Sequence, residues 1–266
     1  MSLTYIVIVV LMMLLENSLL FFPSKYPEGD WHPAGIKFED VWFNAADGVK
    51  LHGWYVPAEQ PRAVVLFAHG NAGNLSDRSD LLRELHALGI STLIFDYRGY
   101  GRSEGSPNEA GIMADGRAAR TALAKQAGVP ESEIVLMGES LGGAVAVQLA
   151  SEAPARGLVL ESTFSSVPEV AAFHYPWLPV KLLMHTKLDS ATAIAKYHGP
   201  LLQLHGDADT IVPYRFGKKL FDAANEPKTF VTIPGGDHND PRTAKFHEAL
   251  EQFINQLQSK PSGIEG

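Results

Sequence analysis

The amino-acid sequence predicts an α/β fold, a mostly parallel sheet of about eight strands with helices on both faces. Three observations carry this. Most strand-like segments are continuous apolar runs, as expected of strands covered on both faces. They alternate with segments of helical periodicity along most of the chain. A length of 266 residues, with 45% hydrophobic and 20% charged side chains, suits one domain with a substantial core.

Taken in order, the elements begin with an apolar N-terminus. LTYIVIVVLMMLL (3–15) is almost wholly apolar, Glu16 and Asn17 interrupt it, and SLLFF (18–22) resumes. Residues 1–22 are therefore expected to form a hydrophobic helix of about the length of one bilayer crossing. No Lys or Arg precedes the run and no small-residue cleavage site follows it, which favours an uncleaved membrane anchor over a signal peptide. A helix lying on the membrane or on the domain is the alternative, because Glu16 and Asn17 are costly in hydrocarbon. The protein is accordingly expected at a membrane, held by this one segment. Lys25, Glu28 and Asp30 are too balanced to orient it. Residues 23–35 read as a linker, with Tyr26 and Trp31 suited either to a lipid interface or to packing on the domain.

The domain is expected over 36–258. KFEDVWF (37–43) and KLHGWYV (50–56) flank an Asp-Gly turn and form a hairpin. AVVLFAHG (63–70), STLIFDY (91–97), EIVLMG (133–138), GLVLES (157–162), LLQLHG (201–206) and KTFVTIPG (228–235) are the strands that follow. Helices are predicted at 80–89, 109–128, 142–153, 216–225 and 243–258. A small cap is placed at about 163–199, where Phe164, Tyr175, Trp177 and Leu178, with Leu182, Leu183 and Met184, can line an acyl pocket or pack as core. SKPSGIEG (259–266) reads as a flexible tail.

Two pentapeptides, GRSEG (101–105) and GESLG (138–142), match G-x-S-x-G. Only the second follows a buried strand and opens a helix of small residues, the setting of a nucleophilic serine on a tight strand-to-helix turn. Ser140 is therefore the expected nucleophile. Ser103 sits in a polar, proline-containing stretch and reads as a surface-loop hydroxyl. A serine hydroxyl needs a base, and the base an orienting acid. Asp207 and Asp209 both lie just past the strand 201–206, and His238 lies just past the strand 228–235, on the edge of the sheet where Ser140 emerges. The oxyanion donors are expected at the backbone of Leu141, the residue after the serine, and of Asn71 in HGNAGN (69–74), with Ala72 as the alternative. His205 reads as a structural hydrogen-bonding residue in a strand. His205, Asp207, Asp209, His238 and Asp240 can also be read as a metal cluster, but a metal leaves the setting of Ser140 unexplained. No metal and no cofactor are expected.

The net charge of −8 and the lack of a basic run argue against a nucleic-acid partner. There is no cysteine, so thiolate chemistry and Cys-ligated zinc are excluded.

HGNAGN, DYRGYGRSEG, GESLGG, HGDADTIVP and GGDHND stand in the order and spacing of α/β-hydrolase-fold serine hydrolases. More narrowly, with FFPSKYPEGDWHP and VWFNAADGVKLHGWYVP, the chain resembles the membrane-tethered branch of protein depalmitoylases and their bacterial esterase relatives over roughly residues 20–255. The resemblance implies Asp209 rather than Asp207 as the acid and His238 as the base, in the order serine, acid, histidine. It also assigns GRSEG to a common loop. The depalmitoylases carry a lipidated N-terminal cysteine cluster that this chain lacks, which favours a carboxylesterase. The expected function is thus a serine carboxylester hydrolase acting through an acyl-enzyme on Ser140, on membrane-associated or short-to-medium acyl esters. A thioesterase or protein depalmitoylase on the same residues is the alternative. A non-catalytic binding protein on this fold is the alternative of another class, disfavoured because all three residues are present.

Overall fold

A computed structural model describes residues 3–259. The tail expected over 259–266 lies outside the described residues, except Ser259, the last residue of the final helix. In chain order the chain forms α1 (Leu3–Leu14), α2 (Glu16–Leu20), β1 (Phe22–Pro23), β2 (Glu39–Asn44), β3 (Lys50–Val56), β4 (Ala63–Ala68) and β5 (Ala72–Gly73). Then come α3 (Ser79–Ala87), β6 (Ile90–Phe95), α4 (Glu109–Ala127), β7 (Ile134–Glu139), α5 (Leu141–Glu152) and β8 (Gly157–Glu161). The insert holds α6 (Val167–His174), α7 (Val180–Leu183) and α8 (Ser190–Ile194), and β9 (Leu201–Gly206), α9 (Tyr214–Ala223), β10 (Lys228–Ile233) and α10 (Ala244–Ser259) complete the chain.

The main sheet has eight strands in the order β10-β9-β8-β7-β4-β6-β3-β2. The β2–β3 hairpin and the β3–β6 pair are antiparallel, and the other neighbours are parallel. This is the α/β-hydrolase fold that the sequence predicts. Every residue of β4, β6 and β9 is buried, which is why these strands read as unbroken runs. Side chains alternate between two cores: Val64, Leu66 and Ala68 of β4 join one, Val65 and Phe67 the other. On the first face α4 and α5 contribute Ile112, Leu123, Val145 and Leu149. On the second face α3 and α10 contribute Leu81, Leu85, Leu250 and Phe253.

The N-terminal segment departs from expectation. No helix among the described residues is long and apolar enough to cross a membrane. The apolar run breaks at Leu15 into α1 of 12 residues and α2 of 5. The reason is Glu16: its carboxylate needs donors, and it finds the backbone N–H groups of His185 and Thr186 in the insert, at 3.0 and 2.7 Å. Tyr5 Oη also donates to the Trp177 carbonyl at 3.1 Å. The helices therefore lie along the insert. The stretch after them is packed on the domain: Trp31 is buried against Trp54 and His52, while Tyr26 stays half exposed and meets it edge-on.

One ion pair braces the loop after β6. Arg98 donates to Asp115 of α4 through Nη2 at 2.8 Å and through its backbone N–H at 2.8 Å, with both side chains buried. The Asp115→Ala variant leaves that guanidinium facing only the half-exposed Asp47, and is expected to cost about 3–5 kcal/mol. Arg117→Ala, which removes an exposed pair with Glu152, is expected to cost under about 1 kcal/mol. Urea midpoints of the two variants against wild type measure the contrast.

Candidate active site

β7 passes into α5 through Ser140, whose backbone is held at φ 51° and ψ −115°. That conformation is costly for a side-chain-bearing residue, by about 1–3 kcal/mol. Its neighbours explain how it is enforced. A Cβ at Gly138 would run into the Gly142 carbonyl, and one at Gly142 into the carbonyls of Ala68 and His69. The turn closes only because both positions lack side chains. Three hydrogen bonds then lock it: Ser140 N–H donates to Glu161 O at 2.9 Å, and Ser140 O accepts from Thr163 Oγ1 at 2.7 Å and Gly143 N–H at 3.0 Å.

The loops after β9 and β10 bring Asp209 and His238 to the same edge. His238 Nδ1 lies 2.8 Å from Asp209 Oδ2, and its Nε2 lies 3.1 Å from Ser140 Oγ. With the proton on Nδ1 donated to Asp209, Nε2 is free to accept from the serine hydroxyl. Asp209 Oδ1 accepts two backbone N–H bonds, from Ile211 at 3.0 Å and Val212 at 2.7 Å. Burial alone would raise the Asp209 pKa, but hydrogen bonds from His205 and His238 outweigh it. They hold the carboxyl well below the usual carboxylate range. The acid therefore stays ionised through the neutral range.

His205 was expected to be structural, and it is a second partner of the acid. Its Nε2 lies 2.8 Å from Val212 O and 3.2 Å from Asp209 Oδ2. Its position four residues before Asp209, at the end of a buried strand, was the available signal. Asp207 turns away and accepts from Gly235 N–H at 2.6 Å, bracing the loop. Asp240 accepts from the backbone of Asp237. Among the described residues no group of three or more His, Asp or Glu is placed to hold a metal ion.

Leu141 opens α5, and Asn71 lies in the loop after β4. Among the described residues neither backbone N–H has a protein acceptor. Ala72 belongs instead to β5, which pairs in parallel with β1. The Asn71 side chain is a clamp: Nδ2 donates to Leu20 O, while Oδ1 accepts from Phe22 N–H at 3.2 Å and from Tyr100 Oη at 2.8 Å. The N-terminal segment is thereby tied to the loop expected to hold an oxyanion.

The predicted pocket residues separate. Leu178 and Tyr175 line a groove against the N-terminal helices, and Phe164 is buried in the main core. Trp177 is more than half exposed and is not part of that lining, so its ring does not build the pocket. Leu182 is also exposed. Ser103 is not a surface hydroxyl: it is buried, accepts from His52 N–H at 3.0 Å and donates to Asp96 O at 2.7 Å.

Sequence reading missed a charge cluster beside the serine. Arg242, four residues after His238, reaches Glu139 Oε2 at 2.9 Å and Glu161 Oε2 at 2.7 Å. These two carboxylates end the paired strands β7 and β8 at the same register position. Burial would raise the Glu139 pKa, but Arg78 and Arg242 hold it below its ordinary value. Burial pushes the Glu161 pKa up, against the pull of Arg242. Arg242 thus fastens the His238 loop to the strand that carries Ser140.

The serine aminopeptidase S33 family model matches residues 59–190. An uncharacterized protein of Mycobacterium tuberculosis strain H37Rv, Rv2307c, is 44% identical over 91% of this chain and 88% of its own length. The alpha/beta hydrolase domain-containing protein WAV2 of Arabidopsis thaliana is 36% identical over 76% of this chain and 73% of its own length. Among solved structures, the Pyrococcus furiosus esterase PF2001 superposes with a TM-score of 0.72 at 20% identity, covering 89% of this chain and 98% of that one.

Arg242→Met leaves Glu161 without its cation and Glu139 with Arg78 alone. Removing one partner of a buried network is expected to cost about 3–5 kcal/mol at neutral pH. The Glu161 pKa, already raised by burial, then rises further above its unfolded value, so the folded state takes up a proton first as pH falls. The deficit is therefore largest at neutral pH and shrinks on acidification towards the ordinary carboxylate range, as urea midpoints from pH 7 to about 5 will show.

Proposed function

The chain belongs to the α/β-hydrolase family, and from that premise we propose that it is a serine ester hydrolase working through an acyl-enzyme on Ser140. The observation that carries this is the His238 ring spanning Ser140 Oγ at 3.1 Å and Asp209 Oδ2 at 2.8 Å, beside a strained serine.

In this reading Ser140 Oγ attacks the ester carbonyl carbon while His238 Nε2 takes its proton. Asp209 holds the imidazole orientation and stabilises the imidazolium. The negative charge on the former carbonyl oxygen is met by the backbone N–H groups of Leu141 and Asn71, at the N-terminus of α5 and in the loop after β4. Collapse of the tetrahedral intermediate breaks the ester C–O bond, and the leaving alcohol takes the proton from His238. A water molecule then loses a proton to His238 as it attacks the acyl-enzyme. The carboxylic acid departs and Ser140 recovers its proton. No step needs a cofactor. The small size of the insert after β8 suits short-to-medium acyl esters. Leu3 and Leu14 of α1, each about three-quarters exposed, favour esters presented at a lipid surface, with the helix lying in the interface rather than spanning it.

Ser140→Ala is expected to abolish hydrolysis of p-nitrophenyl butyrate, and Asp209→Asn to lower kcat by about 10³–10⁴. Activity surviving in Ser140→Ala would overturn the assignment. An inactive wild type that cleaves the matching thioester would move the reading to a thioesterase. Ligand binding with no turnover of either would move it to a binding protein.

A further inference from the structure

Between the N-terminal helices and the insert lies an apolar groove. Met13, Leu19 and Leu20 form one wall, and Leu178 and Leu183 face them. Among the described residues Glu16 is the only charged side chain in the lining, and its oxygens are already taken by the backbone N–H groups of His185 and Thr186. The groove thus has no free charge to offer a ligand. A polar ligand would lose its hydration there with little in return, whereas methylene groups gain by leaving water.

The groove is also joined to the reacting edge. Leu20 belongs to its lining, and the same residue's carbonyl accepts the Asn71 side-chain amide. Two residues on, Phe22 N–H donates back to Asn71 Oδ1, and β1 pairs with β5 directly after it. The Asn71 side chain thus couples this apolar wall to the loop proposed to hold the carbonyl oxygen of the ester. The wall is held in place by Tyr5 on the Trp177 carbonyl and by Glu16 on the insert backbone.

We propose that this groove binds the aliphatic acyl chain of the substrate, and that the N-terminal helix pair is one of its walls. The proposal rests on the reading of Ser140 as nucleophile. It makes α1 and α2 part of the specificity apparatus rather than a mere attachment.

The test measures kcat/KM of the full chain for p-nitrophenyl decanoate and acetate, below the micelle concentration of the decanoate. Met13→Trp and Leu183→Trp fill the groove from opposite walls, at positions exposed enough for the chain to fold. In both variants the decanoate-to-acetate ratio is expected to fall by about tenfold or more. A ratio within about twofold of wild type in Met13→Trp would overturn the role of the N-terminal wall, and in both variants the whole proposal. Should the wild type cleave no ester, the reading of Ser140 fails separately, and the groove is then tested by binding of dansylaminoundecanoic acid. Binding to wild type that both tryptophan variants weaken supports the groove. No binding to wild type overturns it.

Discussion

A contact between backbones, at Gly142, is the constraint on which the rest of the site depends. The first turn of α5 presses against the carbonyls of Ala68 and His69 so closely that no side chain fits between them. This one approach brings together the end of β7, the start of α5 and the loop after β4. Ser140 is forced to positive φ by the same closure, and the hydrogen bonds to Glu161 and Thr163 prevent it from relaxing. The cost is local, and the surrounding sheet, with two cores on its faces, over-determines the geometry.

Around this point the chain uses tethers between distant segments. Asp209 collects four hydrogen-bonding partners on two oxygens, three of them independent of His238, so its position does not rest on His238. Arg242 binds the His238 loop to the ends of β7 and β8. Asn71 binds the N-terminal arm to the loop after β4, and Asn74 repeats the device by donating to Glu28 O at 2.9 Å. Arg242 ties a loop to rigid strand ends, the two asparagines tie the N-terminal arm to the loop after β4, and such tethers let groups on separate loops hold a common geometry.

What the sequence made legible was what depends on local pattern. Continuous apolar runs marked the strands because β4, β6 and β9 are buried on both sides. The setting of GESLG separated Ser140 from Ser103 because a tight turn demands glycines at fixed spacing. The residues that were misread depend on contacts across long stretches of chain. Ser103 is buried because it bridges His52 and Asp96, which no local window reveals. Glu16 looked like a flaw in a membrane span, but its donors lie 169 and 170 residues away. Glu139 and Glu161 carry no local signal of a pairing, and only strand register places them side by side for Arg242.

The position of β10 has a consequence for durability. It is the outermost strand, hydrogen-bonded on one side only, and most of its residues are half-buried. The loop that carries His238 hangs from it, whereas Ser140 springs from the sheet interior. Peripheral melting at this edge requires less free energy than cooperative denaturation of the two cores. In the proposed mechanism such melting would strip the serine of its base while the elbow stayed folded. The working lifetime at raised temperature would then follow the fraying of one border strand, not the melting point of the whole.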